Sequence, residues 1–101
     1  MKKLKEIKLN DFQLNVLLNE QEKEEYKFLL QDNVYCPHCK EVCEDGIEVT
    51  ENILNWLNDI LVKGKCRKCG KEVNRFIELG EDKEFFDRAN AFRRSIGNLK
   101  D

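Results

Sequence analysis

The chain has 101 residues, 41% apolar and 38% charged, with 18 Lys+Arg against 20 Asp+Glu for a formal net charge of −2. One domain is expected, with a marginal core, since a chain of about 100 residues buries only roughly 60–65% of its unfolded surface. The acidic balance disfavours a general electrostatic grip on nucleic acid or an anionic membrane surface, and the five cysteines are the obvious supplement to the core.

The start, Met1 to Ile7, breaks into charges before any apolar stretch of signal-peptide length. No later run approaches the ~20 apolar residues that span a bilayer, so a cytoplasmic protein is expected. Two alanines against thirteen lysines, thirteen glutamates and ten asparagines suggest an AT-rich bacterial or phage genome. Residues 1–19 read either way: Phe12, Leu14, Val16 and Leu18 alternate like a strand, and Phe12, Val16 and Leu17 suit a short helix, with the strand preferred. At Asn19 the signal sharpens. Asn19 is a helix cap, Glu22 stands at the capping-box position, and Tyr26, Leu29 and Leu30 share a side, predicting a helix over about 20–31 closed by Asp32 and Asn33.

Thr50 predicts the cap of a second helix over about 51–61, because Ile53, Leu54, Leu57, Ile60 and Leu61 recur at helical spacing. Trp56 extends or flanks that face, and Asn52, Asn55, Asn58 and Asp59 fall mostly opposite. Residues 61–65 and 72–79 then read as strands of a hairpin hinged on the cysteines between them, with Val73, Arg75, Ile77 and Leu79 on one side. Gly80 ends the second strand. Phe85, Ala89, Phe92 and Ile96 form one stripe of a last helix, with Gly97 as its stop. No repeat or linker divides the chain, so residues 1–101 are expected to form one domain: an N-terminal region 1–33, a core 34–79, and a C-terminal helix and tail 80–101.

The strongest motif is Cys36-Pro37-His38-Cys39 followed, after 26 residues, by Cys66-Arg67-Lys68-Cys69-Gly70. Two residues between cysteines let both thiolates of a tight turn point at one ion, and two such turns supply the tetrahedral sulfur set that zinc favours. An odd number of cysteines in a reducing cytosol argues against a closed disulfide framework. Gly70 suits the turn after the second pair, whereas Lys40 holds the equivalent place after the first. On these motifs, residues 34–79 resemble the zinc-ribbon superfamily. The resemblance implies two knuckles on β-hairpins around one structural zinc held by Cys36, Cys39, Cys66 and Cys69. The 26-residue interval exceeds the usual ~15–20, and the helix expected at 51–61 would occupy the excess. The fold class expected is therefore α+β: a small zinc-ribbon core with an inserted helix and flanking N- and C-terminal helices.

Cys43 is left over and reads best as a buried small hydrophobe, with ligation or reactivity as alternatives. His38 reads as solvent-facing, since its neighbours take the metal positions. Cys-Pro-His-Cys also resembles the active site of DsbA-like thiol oxidoreductases, which implies a βαβ core and a separate cis-proline. Pro37 is the only proline, and the second cysteine pair offers a metal partner instead. Iron in the same sulfur cage would make a rubredoxin-like electron carrier. Catalytic residues are not expected: four cysteines close the metal shell, Ser95 is the only serine, and the carboxylates lie in solvated charge runs.

Lys63, Lys65, Arg67, Lys68, Lys71 and Arg75 make a basic segment around the second pair, while Glu41, Glu44, Asp45, Glu48 and Glu51 surround the first. The basic residues either compensate the −2 charge of a zinc tetrathiolate or contact nucleic acid, with Phe76 as a stacking ring. Arg88, Arg93 and Arg94 spread over the polar face of the last helix and offer no groove-reading stripe. The function expected is non-enzymatic recognition by a zinc-stabilised module. A protein partner is preferred, in transcription or phage–host interaction, and nucleic-acid binding is the alternative.

Overall fold

A computed structural model describes residues 5–31 and 34–97. In chain order the elements are β1 (Ile7–Leu9), α1 (Asp11–Leu17), α2 (Glu20–Gln31), β2 (Tyr35–Cys36), β3 (Glu41–Val42), β4 (Ile47–Leu54), β5 (Ile60–Cys66), β6 (Glu72–Ile77) and α3 (Lys83–Ser95). The class is α+β. Four strands form one antiparallel sheet in the order β1-β4-β5-β6, and β2 and β3 form a separate two-stranded ribbon. No helix among the described residues is long and apolar enough to cross a membrane.

Of residues 1–19, expected to favour a strand, the described part from residue 5 onward holds strand β1 and helix α1. Asn10 caps α1: its Oδ1 accepts from the Gln13 backbone N–H at 2.7 Å, and the Asn10 N–H donates to Gln13 Oε1 at 2.9 Å. The alternation of Phe12, Leu14, Val16 and Leu18 is thus overridden by a capping box that satisfies two orphan amides at once. Residues 1–4 lie outside the described ones, as do Asp32 and Asn33, the expected close of α2. Helix α2 begins as expected, with Glu22 N–H donating to Asn19 Oδ1 at 2.7 Å and Asn19 N–H to Glu22 Oε1 at 2.8 Å.

The inserted helix expected at about 51–61 is not formed. That segment is the second half of β4, a five-residue turn, and the start of β5, with Leu54 paired to Ile60 and Ile53 to Leu61. Thr50 caps nothing; its hydroxyl donates to the Lys63 carbonyl at 3.1 Å, beside a bulge between Val49 and Glu51. The residues placed on the helix's solvated face build the turn instead. Asn55 Oδ1 accepts from the Leu57 and Asp59 N–H groups, both at 2.9 Å, and Asn58 takes the left-handed conformation with φ 62°. Asparagine tolerates that region better than most residues. Trp56 and Leu57 sit at the turn, each 49% exposed.

Sheet pairing sorts the side chains into transverse rows. On one face Ile7, Leu54, Ile60 and Ile77 form a row, followed by Leu9, Asn52, Val62 and Arg75. The core gathers here, with Leu17, Val34, Phe85 and Ala89 packed among the strand residues. The other face carries Lys8, Ile53, Leu61 and Phe76, then Glu51, Lys63 and Asn74, then Glu48, Lys65 and Glu72. One apolar and one largely charged face is the usual pattern of an antiparallel sheet covered on one side.

Helix α3 locks the turn end of the sheet. Asp82 caps it by accepting from the Phe85 N–H at 3.1 Å. Its buried stripe is Phe85, Ala89 and Arg93, whereas Ile96, expected to continue the stripe, is 44% exposed. Arg93 departs from the polar face expected for it and is fully buried. Its Nε donates to Asn58 Oδ1 at 2.8 Å and one terminal nitrogen to the Asn55 carbonyl at 2.5 Å, while the other terminal nitrogen donates to the Lys5 carbonyl. A buried guanidinium is tolerated where its donors meet fixed acceptors. Gly80 completes the joint. Its N–H donates to Asp59 Oδ1 at 2.7 Å, and a Cβ on it would lie 2.1 Å from the Leu57 carbonyl oxygen.

Candidate metal centre

At the opposite end of the sheet the cysteines converge. Cys36 ends β2, Cys39 lies in the turn to β3, Cys66 ends β5, and Cys69 lies in the turn to β6. Each pair of residues around a turn is thus presented by a hairpin, β2–β3 or β5–β6. The two turns are built alike. Lys40 N–H donates to the Cys36 carbonyl at 2.8 Å, and Gly70 N–H to the Cys66 carbonyl at 2.7 Å. Both following residues need positive φ, 58° at Lys40 and 76° at Gly70. The second turn therefore uses the residue best suited to the conformation, and the first uses one that is strained by it.

The four Sγ atoms of Cys36, Cys39, Cys66 and Cys69 all lie within 4.8 Å of one another. Cys36 Sγ is 3.6 Å from Cys69 Sγ, and Cys39 Sγ is 3.9 Å from Cys66 Sγ. A tetrahedron with metal–sulfur bonds of about 2.3 Å has edges of about 3.8 Å, so the donor set fits a four-coordinate thiophilic ion. The first cysteine of each turn is also prepared to be a thiolate. Backbone N–H groups of Cys39 and His38 pull the Cys36 thiol below its ordinary range, and those of Cys69 and Lys68 do the same for Cys66, with burial opposing in both. Cys39 Sγ is driven the other way, first by sharing its proton with Cys69 and then by burial. Four sulfurs this close do not all ionise without a cation among them.

Cys43 lies outside the four but beside them. It is 3% exposed, follows β3, and its thiol is pushed up to about 12 by burial first and then by contact with Cys66. Its N–H donates to the Val34 carbonyl at 2.8 Å, so it anchors the β2–β3 ribbon. His38 is exposed and belongs to no ligand cluster among the described residues.

The six basic residues do not share a surface. Lys65 stands between Glu48 and Glu72 across the sheet, and Lys63 between Glu51 and Asn74. Lys68 Nζ reaches Glu41 Oε1 at 2.6 Å, and that carboxylate holds the ammonium above its usual range. Arg67 and Lys71 are exposed in the second turn. Arg75 is half-buried on the helix-covered face, in register with Val62. Phe76, on the open face, is 53% exposed.

A polar hub escaped the sequence reading. Arg88 of α3 donates to Glu22 Oε1 at 2.6 Å and to the Leu17 carbonyl at 3.1 Å, tying the capping box of α2 and the end of α1 to the last helix. Spacing carries no sign of it, because the partners are 66 and 71 residues apart.

No protein-family model, curated protein or solved structure matches this chain. The four-cysteine cluster on two hairpin turns is compatible with a zinc-ribbon-like site.

Proposed function

We propose that this chain is a zinc-stabilised, non-enzymatic recognition module that docks on a protein partner, as an adaptor or inhibitor in transcription or phage–host interaction. The observation that carries the metal assignment is the convergence of Cys36, Cys39, Cys66 and Cys69 within 4.8 Å. Four thiolates fill a tetrahedral shell and leave no position for a substrate or an activated water, which favours a structural ion over a catalytic one. A protein partner is favoured over nucleic acid because Glu41, Glu48, Glu51 and Glu72 stand against Lys68, Lys65 and Lys63. Lysines engaged in this way have less free charge to release counterions from phosphate.

The metal assignment is tested by zinc stoichiometry and folding in three variants. Cys39→Ser and Cys66→Ser should lose the ion and most of the stability it supplies, on the order of 10–16 kcal/mol of apparent binding energy in comparable sites. Cys43→Ser should keep one zinc per chain. Equal zinc loss from Cys43→Ser and Cys39→Ser would overturn the ligand set, and iron with reversible one-electron chemistry would promote an electron carrier. The exposed Phe76 ring, in a row with Lys8 and beside Lys63, supports nucleic-acid binding as the second reading. Reversal of Lys63 and Lys68 tests it, Arg75 being half-buried on the covered face. Sub-micromolar, salt-sensitive DNA or RNA binding by the native protein, weakened by that reversal, would replace the protein-docking reading.

A further inference from the structure

Strand β1 covers only part of the edge of β4. It pairs Ile7, Lys8 and Leu9 with Leu54, Ile53 and Asn52, and the chain then turns away at Asn10 into α1. Residues 47–51 of β4 therefore pair with β5 on one side and with no strand on the other, among the described residues. A strand edge left open presents a row of backbone donors and acceptors ready for another chain.

A groove runs beside this edge. Its lower part, about 570 Å³, lies between Tyr26, Lys27, Leu30 and Gln31 of α2 and the turn from Glu44 to Ile47. Its upper part, about 460 Å³, lies between Tyr26, the start of α1 and β4 from Val49 to Asn52. Tyr26 lines both, and its hydroxyl donates to Asn52 Oδ1, so the ring stands between two neighbouring hollows along β4. Val49 is on the helix side of the sheet, in register with Gly64, yet is 37% exposed. The helices leave the sheet uncovered where the edge is open.

The chemistry of the groove selects its occupant. Asp11, Glu44, Asp45 and Glu51 line it against a single lining ammonium, Lys27; Glu51 meets Lys8 at 3.3 Å and lies across from Lys63, whereas Asp11, Glu44 and Asp45 make no ion pair within 4 Å among the described residues. Glu48, exposed on the outer side of the same edge, lies across from Lys65 and so adds less to this field. We propose that the open edge of β4, with the groove beside α2, binds an extended cationic segment of a partner protein as an added β-strand. This rests on the reading of the chain as a protein-docking module and gives that module its surface. The five residues from Ile47 to Glu51 span about 14 Å, and alternate side chains of an added strand point to opposite faces. One set would fall on Val49, Tyr26 and Leu30, and the other would meet Glu48 and Glu51. A second copy of the chain fits less well, because it would bring Glu48 and Glu51 against the same carboxylates and one bulge against another.

The probe is an acetylated and amidated heptapeptide of alternating lysine and valine, titrated into the zinc-loaded full chain and followed by amide chemical shifts. Binding should perturb residues 46–52 and 26–31. Replacing its lysines by glutamate, or N-methylating alternate amides, should each weaken it by about tenfold or more. Val49→Lys in the groove, and separately Glu44→Lys with Asp45→Lys, should weaken it by about tenfold and about fivefold with the fold unchanged. Equal binding of the N-methylated peptide, perturbation confined to other residues, no binding at about 1 mM, or self-association mapping to residues 47–51 would each overturn the proposal. Where the native partner is captured equally by wild type and Val49→Lys, the location fails while the docking reading survives. Peptide binding at this edge by a chain that captures no partner has the opposite meaning, supporting the edge site against the broader reading.

Discussion

Replacing Lys40 by glycine should stabilise this protein. Lys40 and Gly70 follow the second cysteine of equivalent turns, and both take positive φ, 58° and 76°. A residue with a Cβ bears about 1–2 kcal/mol in that region, whereas glycine bears almost none. Glycine also frees the unfolded chain, which returns roughly 0.5–1 kcal/mol of the gain. The Lys40 side chain offsets nothing, since it is exposed and makes no ion pair among the described residues. The net expectation is a stabilisation of about 0.5–1 kcal/mol, or a rise in Tm of about 2–8 °C for a domain this size. The assay is thermal or urea unfolding at one fixed excess of zinc, because the ion itself shifts apparent stability. Lys40→Ala is the control for the side chain and should leave the strain in place. A Lys40→Gly protein equal to or less stable than wild type would refute strain at this turn. Stabilisation by Lys40→Ala as large as that by Lys40→Gly would refute the backbone cause.

Arg93→Met should cost about 3–5 kcal/mol in urea unfolding, because it removes the guanidinium donors from Asn58 Oδ1 and the Lys5 carbonyl and leaves the Asn55 carbonyl with the Asn58 N–H alone; a loss under about 1 kcal/mol would show that the turn holds itself. Burial raises the Tyr26 phenol from 10.0 to about 12. The folded state thus keeps the proton that the unfolded state releases first, so this contribution is complete below pH 10 and disappears as pH climbs through about 12. Stability curves of wild type and Tyr26→Phe should converge across that window, with phenolate absorbance as the direct readout, and parallel curves would contradict it.

What the sequence disclosed was whatever local chemistry could declare. Asn19 and Glu22 announce a capping box because the motif is three residues long, and the two cysteine turns declare themselves through spacing alone. Asn10 and Gln13 carry the same cap signature as Asn19 and Glu22, and reading it would have found α1. The 51–61 segment misled for a deeper reason. Ile53, Leu54, Leu57, Ile60 and Leu61 satisfy a helical period, but Leu54 and Ile60 are sheet partners and Leu57 is at the turn. Thr50, Ile53, Ile60 and Val62 supply the β-branched content that favours strands. Asn55, Asn58 and Asp59 read as a solvated face until their partners Arg93, Asn90 and Gly80 are known, each at least 21 residues away. A buried polar turn resembles an exposed one until the groups that satisfy it are in view.

The two ends of the sheet meet the same difficulty by different means. A hairpin as long as β4–β5 needs its ends fixed, and the covered face between them thins from the four-residue row Ile7–Leu54–Ile60–Ile77 to Val49, Gly64 and Val73 and then Ile47 and Cys66. At one end, Arg93 gathers the chain near Lys5, the Asn55–Asn58 turn and α3 through directed hydrogen bonds. At the other, the four thiols bring two short turns together, where β2 and β3 have only two residues each and could not hold by strand pairing alone. The polar joint makes its contacts from groups that stay charged or neutral as they fold, whereas the thiol joint, if all four sulfurs ionise, would need a cation among them to offset their repulsion. The open edge of β4 lies between these joints, so the strand that would receive an added chain is held at both ends before any partner arrives. Such preorganisation lowers the ordering cost of binding, and it explains why a small domain with a thin core concentrates its costly devices at the two extremities of one strand pair.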